Sequence, residues 1–159
     1  MTGQKNFSAV YRSLTWTAIL YVLTGFHHYY GSVIYGTPWR EHVVAAGGSV
    51  LCICVVLVIL YRVYYRRIWL ITYLLIAFIT FGLLIGLFEG FYNHVLKNIL
   101  YFSGLNTATW RAMFPAPAYE VPQNLVFEST GILQFFVGVV QIYFLRQVYL
   151  IKEPCHIAN

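Results

Sequence analysis

The side chains in this sequence that can bind a metal or move a proton are few. They number five histidines and five acidic residues, all of the latter glutamates. His27 and His28 are adjacent, Glu41 and His42 follow, Glu89 and His94 lie five apart, and Glu120 and Glu128 come next. Only Glu153 and His156 stand apart, near the C-terminus. Neutral imidazole with carboxylate suits zinc, iron or copper, whereas calcium and magnesium take oxygen ligands alone. There is no HExxH pair of the zinc-protease kind. Nor do Glu89 and His94 form the Glu-x-x-His pair of ferritin-like di-iron bundles. The candidate metal ligands are His27, His28, His42, Glu89, His94 and Glu128, and the candidate proton-transfer groups are Glu89 and Glu128.

Composition identifies the elements that must position these groups. Of the 159 residues, 60% are hydrophobic, 19% aromatic and only 9% charged. A soluble domain carries about 25% charged residues, so this chain has too little polar surface to cover a particle in water. One compact transmembrane domain over residues 1–159 is expected, with the lipid bilayer as its surroundings. The formal charge of +5 does not point to nucleic acid, because the basic residues form no long run and sit at helix ends.

A hydrocarbon core about 30 Å thick requires roughly 20 apolar residues in a helix. Four stretches qualify, at about 14–35, 43–61, 68–88 (extending to about 100) and 125–145. The first is read as a retained helix and not a signal peptide, since it lacks a small-residue cleavage pattern and runs into His27, His28, Tyr29 and Tyr30. The fold class is thus all-α, an integral membrane four-helix bundle. Lys5, Arg12, Arg62, Arg66, Arg67, Arg146 and Lys152 fall on one side, and Arg40, Lys97 and Arg111 on the other. This bias places both termini in the cytoplasm, in a cell or inner membrane. Between the third and fourth spans, TATWRAMF predicts a short interfacial helix with Trp110, Met113 and Phe114 facing lipid. Pro115, Pro117 and Pro122 then force turns or extended chain, and the segment reads either as a cap over the bundle mouth or as an ordinary interfacial loop.

On this topology four of the five histidines and four of the five glutamates share the non-cytoplasmic side. Ionisable groups at membrane depth cost about 2.5–3.5 kcal/mol each on insertion scales, so they face the bundle interior and find partners. Spacing limits how many can meet one ion. His27 and His28 diverge by about 100°, and Glu89 and His94 by about 140°, around a regular helix. A smaller set is therefore expected: one of His27 and His28, then His42, Glu89 or His94, and Glu128, with the others orienting them. Glu41 is expected in headgroup water and Glu120 as a solvated loop charge. Glu128 has a further option, pairing with Arg111 or capping its helix. The tyrosines and tryptophans around this end fit an interfacial aromatic belt. Cys52 and Cys54 diverge on a helix and read as packing residues, while Cys155 and His156 are a weak metal pair.

Several functions fit these residues. One is a membrane metalloprotein acting on, or binding, a lipid-soluble small molecule. Others are a metal carrier, a haem protein using His27 or His28 opposite His94, and an accessory subunit docking on a membrane-protein partner or on a second copy. LFEGFYNH and FESTG, with glutamates 39 apart, are also distantly similar to the emopamil-binding-protein family of sterol isomerases. That resemblance covers about a third of the chain and implies a metal-free proton transfer by Glu89 and Glu128 on a sterol-like molecule. The sequence departs from the family in having no histidine at the expected place upstream of Glu89, and in lacking the family's further helix and polar site residues.

Overall fold

The computed structural model describes residues 2–150. Lys152, Glu153, Cys155 and His156 lie outside the described residues. Within them the chain is helical, with no strand. Helix α1 spans Thr2–Tyr35, and a single 3-10 turn, Pro38–Arg40, leads into α2, Glu41–Tyr64. Helix α3 runs without a break over Arg67–Phe102, α4 is the short Thr107–Met113, and α5 is Leu125–Tyr149.

Local chemistry sets these boundaries. Gly36, at φ 63°, turns the chain out of α1, and Pro38 opens the 3-10 turn, where its fixed φ and missing N–H carry no penalty. Tyr65 adopts the left-handed conformation after α2 and its N–H bonds back to the Tyr61 carbonyl. Asn106 and Asn124 cap α4 and α5, their side-chain oxygens accepting from the Thr109 and Phe127 amides. Both satisfy donors that a helix start leaves free.

Helices α2 (with its leading turn), α3 and α5 are long and apolar enough to cross a membrane. Helix α1 has the length, at 34 residues, but His27, His28 and its tyrosines and threonines dilute its apolar character. It nevertheless packs along α5 and α2, while α5 also packs along α3. Near the chain termini the core joins Val10, Leu57, Tyr73, Leu145 and Val148. Cys54 belongs to this core and Cys52 is exposed, both unpaired, as their divergence on a helix requires.

The outer surface is largely apolar, and the interior carries polar groups beside its apolar core. Phe26, Val56, Ile59, Leu84, Phe88, Phe136 and Val139 are exposed, whereas Ser13, Thr17, Thr24, Gln134 and Gln141 are buried. The buried polar groups hold the helices together. Thr24 Oγ1 donates to Gln134 Oε1 (3.0 Å), Gln141 Nε2 donates to Thr17 Oγ1 (3.3 Å), and the Ser13 and Tyr73 hydroxyls lie 2.8 Å apart. Helix α3 approaches α5 through Gly82, Gly86 and Gly90, a small residue every fourth position. A Cβ at Gly86 would stand 3.0 Å from the Gly138 Cα, and one at Gly90 would collide with the Phe135 backbone. Small residues at this spacing let helix backbones meet.

Two features differ from the sequence expectation. Between Phe78 and Leu96, helix α3 is wound as a π-helix, with i→i+5 hydrogen bonding, a rare geometry that recurs at functional sites. In the connecting segment, Trp110 and Phe114 turn inward, 2% and 0% exposed, instead of facing lipid. The Trp110 indole donates to the Lys97 carbonyl (3.3 Å), and Phe114 packs on Tyr92 and Tyr119. Aromatic docking thus holds the segment against α3.

Candidate metal centre

Three elements bring the candidate groups together. His27 and His28 come from the last turns of α1, Glu89 and His94 from the π-wound part of α3, and Glu128 from the first turn of α5. The winding decides the arrangement of the middle pair. In an α-helix residues five apart diverge, but i→i+5 bonding stacks them about one turn apart. Both Glu89 and His94 consequently reach the same point, with His94 Nε2 3.7 Å from Glu89 Oε1.

Histidine Nε2 atoms surround that oxygen. His27 stands at 3.6 Å and His28 at 3.8 Å, all beyond hydrogen-bonding range. The tighter group is His27, Glu89 and His94, whose ligand atoms all lie within 4.8 Å of one another. His27, His28 and His94 are buried, and the Glu89 side chain is 17% exposed. Asn93 Nδ2 donates to the second Glu89 oxygen at 2.6 Å and fixes the carboxylate.

The outer nitrogens of the two closest imidazoles are already engaged. His27 Nδ1 lies 3.0 Å from Thr130 Oγ1. That hydroxyl gives its proton to the Val126 and Phe127 carbonyls, at 2.8 and 3.0 Å, so it accepts from His27 Nδ1–H. His94 Nδ1 is 2.9 Å from Glu128 Oε2, an acceptor. When neutral, each ring would hold its proton on Nδ1 and turn its Nε2 lone pair toward Glu89, while His94, with a carboxylate at each nitrogen, is equally placed to carry protons on both. His27 Nε2 is buried with no hydrogen-bond partner. Two lone pairs and a carboxylate at this range repel one another, which a metal ion between them or a proton on His94 Nε2 would relieve. Ligands of a metal held at about 2.0–2.1 Å lie roughly 3.4 Å apart in a tetrahedral shell, within a few tenths of the separations from Glu89.

Lys97 completes the surroundings. Its ammonium, 2% exposed, donates to Glu128 Oε1 at 2.8 Å and to the Glu120 carbonyl of the connecting segment at 3.1 Å. Glu128 thus links Lys97 to His94, a carboxylate–histidine pairing of the kind that orients histidine ligands in metal sites. Room for the His94 ring is made by Gly131, where a Cβ would collide with the imidazole. Gly131→Ala is expected to displace His94 and lower stability by about 1–3 kcal/mol, read from the thermal midpoint.

A cavity of about 240 Å³ adjoins the cluster, bounded by Glu89, His94, Arg40, Trp39, Tyr119 and Glu120 among others. Burial pushes the Tyr119 phenol above its ordinary value, so this group faces the cavity as a donor at neutral pH.

The sequence candidates divide as follows. His27, His28, Glu89, His94 and Glu128 come together. His42 is exposed at the start of α2 and does not reach them, because the neighbouring Arg40 takes the inward direction. Glu41 is exposed and accepts from Ser32 Oγ at 3.0 Å. Glu120 is not a fully solvated charge but a half-buried group lining the cavity, 3.9 Å from Arg40 Nη2. Glu128 pairs with His94 and Lys97, not with Arg111, which bonds the Tyr119 carbonyl. The cap of α5 is made by Asn124 instead. The His27 and His94 rings stand perpendicular with centroids 4.7 Å apart and Phe127 against both, which leaves no slot for a porphyrin between them. Lys97, Arg40, Asn93 and Thr130 also contact the cluster or line its cavity, beyond the residues expected from the sequence. Only the position of Lys97, eight residues after Glu89 in an apolar helix, could flag it.

The sequence matches no family model and no curated protein, and the fold matches no solved structure. The likeness of LFEGFYNH and FESTG to the sterol isomerases stands on those residues alone.

Proposed function

We propose that this chain is an integral membrane metalloprotein, a four-helix bundle with α1 as its fourth span, that holds one transition-metal ion between His27, Glu89 and His94. The observation that carries this reading is the convergence of one ligand atom each from His27, Glu89 and His94 within 4.8 Å of one another, on rings whose Nδ1 atoms are engaged by Thr130 and Glu128. Two imidazoles and a carboxylate are the donor set of catalytic zinc sites and of non-haem iron, so zinc or iron suits the centre better than copper. Three protein ligands keep a coordination position open, and the adjoining cavity supports access for a lipid-soluble ligand. Glu128 acts through His94 as its orienting partner and as a store for a proton.

The extensive exposed apolar surface supports the membrane setting, since a protein in water would cover it with polar groups. Cytoplasmic termini are supported by charge. Arg12, Arg62, Arg66, Arg67 and Arg146 are exposed at the end of the chain termini, whereas Arg40 and Lys97 at the other end are buried in the cluster. The centre then faces the non-cytoplasmic side.

A second reading is favoured by His94, whose two nitrogens each face a carboxylate. Without metal, Glu89, His94 and Glu128 form a proton relay. Cobalt(II) distinguishes the two. The metalloprotein is expected to take up one cobalt per chain and develop visible absorption of a four- or five-coordinate site, lost in His27→Ala and His94→Ala. Protein that stays colourless, or retains its spectrum in both variants, contradicts the metal reading.

A further inference from the structure

We propose that the cavity beside the metal centre receives the carboxylate head of a lipid-soluble acid, anchored by Arg40. This deepens the metalloprotein reading and rests on it for charge balance, while the anchor itself does not require the metal. Arg40 is 4% exposed, an unusual place for a guanidinium. Its Nε donates to Thr37 Oγ1 at 2.8 Å, and its carbon lies 4.8 Å from the Trp39 ring and 5.3 Å from the Phe127 ring. The group is thereby fixed in direction, yet its Nη2 is buried with no hydrogen-bond partner. The nearby Glu120 carboxylate stops short at 3.9 Å. A buried charged donor left unsatisfied is costly, and a guanidinium is matched by the oxygens of a carboxylate or a phosphate, of which the smaller carboxylate suits a cavity of about 240 Å³.

Charge agrees. Arg40 and Lys97 face Glu89, Glu120 and Glu128, a deficit of one positive charge. A divalent ion turns this into an excess of one, which a single monoanion cancels. The size and walls of the cavity indicate the rest of the ligand. At about 240 Å³ it is smaller than the roughly 300–1,000 Å³ of sites that enclose a whole drug-sized molecule, so it holds a head and leaves a tail outside. Trp39 and Phe88, 47% and 50% exposed, form an apolar rim on its lipid-facing side, along which an alkyl chain would run.

Binding of decanoate to the full chain in phosphatidylcholine nanodiscs, loaded with zinc or stripped of it, tests the proposal, with decanol and acetate as comparisons. Saturable decanoate binding is expected, weakened at least tenfold in Arg40→Gln, partly restored in Arg40→Lys, and weaker in zinc-stripped protein. Decanol binding as tightly as decanoate, or decanoate binding unchanged in Arg40→Gln, overturns the anchor. Acetate binding as tightly as decanoate overturns the lipid-soluble assignment in favour of a free anion. Zinc content of each sample separates this from the metal reading. Protein that takes up no zinc but binds decanoate through Arg40 refutes the metal alone, and protein that holds zinc but binds no decanoate refutes only the present inference.

Discussion

Replacing Glu89 with glutamine is expected to abolish stoichiometric metal binding, with zinc affinity falling at least about 100-fold. Loss of an orienting partner typically costs 10–100-fold, and loss of the sole anionic ligand should exceed it. The three Nε2 atoms of His27, His28 and His94 converge within 3.6–3.8 Å of the one Glu89 oxygen, so no other carboxylate can take its place. Glu128 is engaged by Lys97 and by the far side of His94. The substituted amide still fills the volume and still meets Asn93, which keeps the helix packing intact. A zinc competition titration on purified protein reads the effect. His42→Ala, at an exposed position, serves as the control and should leave affinity unchanged.

Glu128→Gln should produce the largest loss of stability. It leaves the Lys97 ammonium, 2% exposed, with no counter-charge in contact, and breaking one side of a buried ion pair costs about 3–5 kcal/mol. The thermal midpoint in detergent should fall markedly. Lys97→Met in the same chain removes the stranded charge and should recover most of the loss, because the penalty of a broken buried pair lies in the uncompensated charge left behind. If the double variant is no more stable than Glu128→Gln alone, the loss has another origin than the lysine. The single variant is also expected to weaken zinc about 10–100-fold, since His94 loses the carboxylate that orients it.

The outlines of the fold are legible in the sequence because hydropathy and breaker residues act locally. The starts of α2 and α5 fall within two residues of expectation, and α3 runs to Phe102 where the sequence suggests an extension to about 100. Membrane crossing by α1 is less plain, since the residues that build the site are the ones that lower its apolarity. The site is legible as a gathering of His27, His28, Glu89, His94 and Glu128, because burying charge in an apolar chain demands partners. Its internal geometry is not. Separating Glu89 from His94 assumes α-helical spacing, and nothing in FEGFYNH alone declares the wider turn. The glycines at 82, 86 and 90 are the signal of close contact between α3 and α5, and hydropathy alone passes over them. Arg40 and Lys97 read as interfacial charges because side-chain direction at a helix end depends on tertiary packing. Trp110 and Phe114 point the other way from expectation for the same reason, since an aromatic residue satisfies lipid and a protein groove equally well.

The metal content of the protein tests the central claim most directly. Wild-type protein dialysed against buffered zinc and then against metal-free buffer is predicted to retain one ion per chain by elemental analysis, and Glu89→Gln none. Wild-type protein that retains no ion, or a Glu89→Gln variant that retains as much as wild type, would contradict the account.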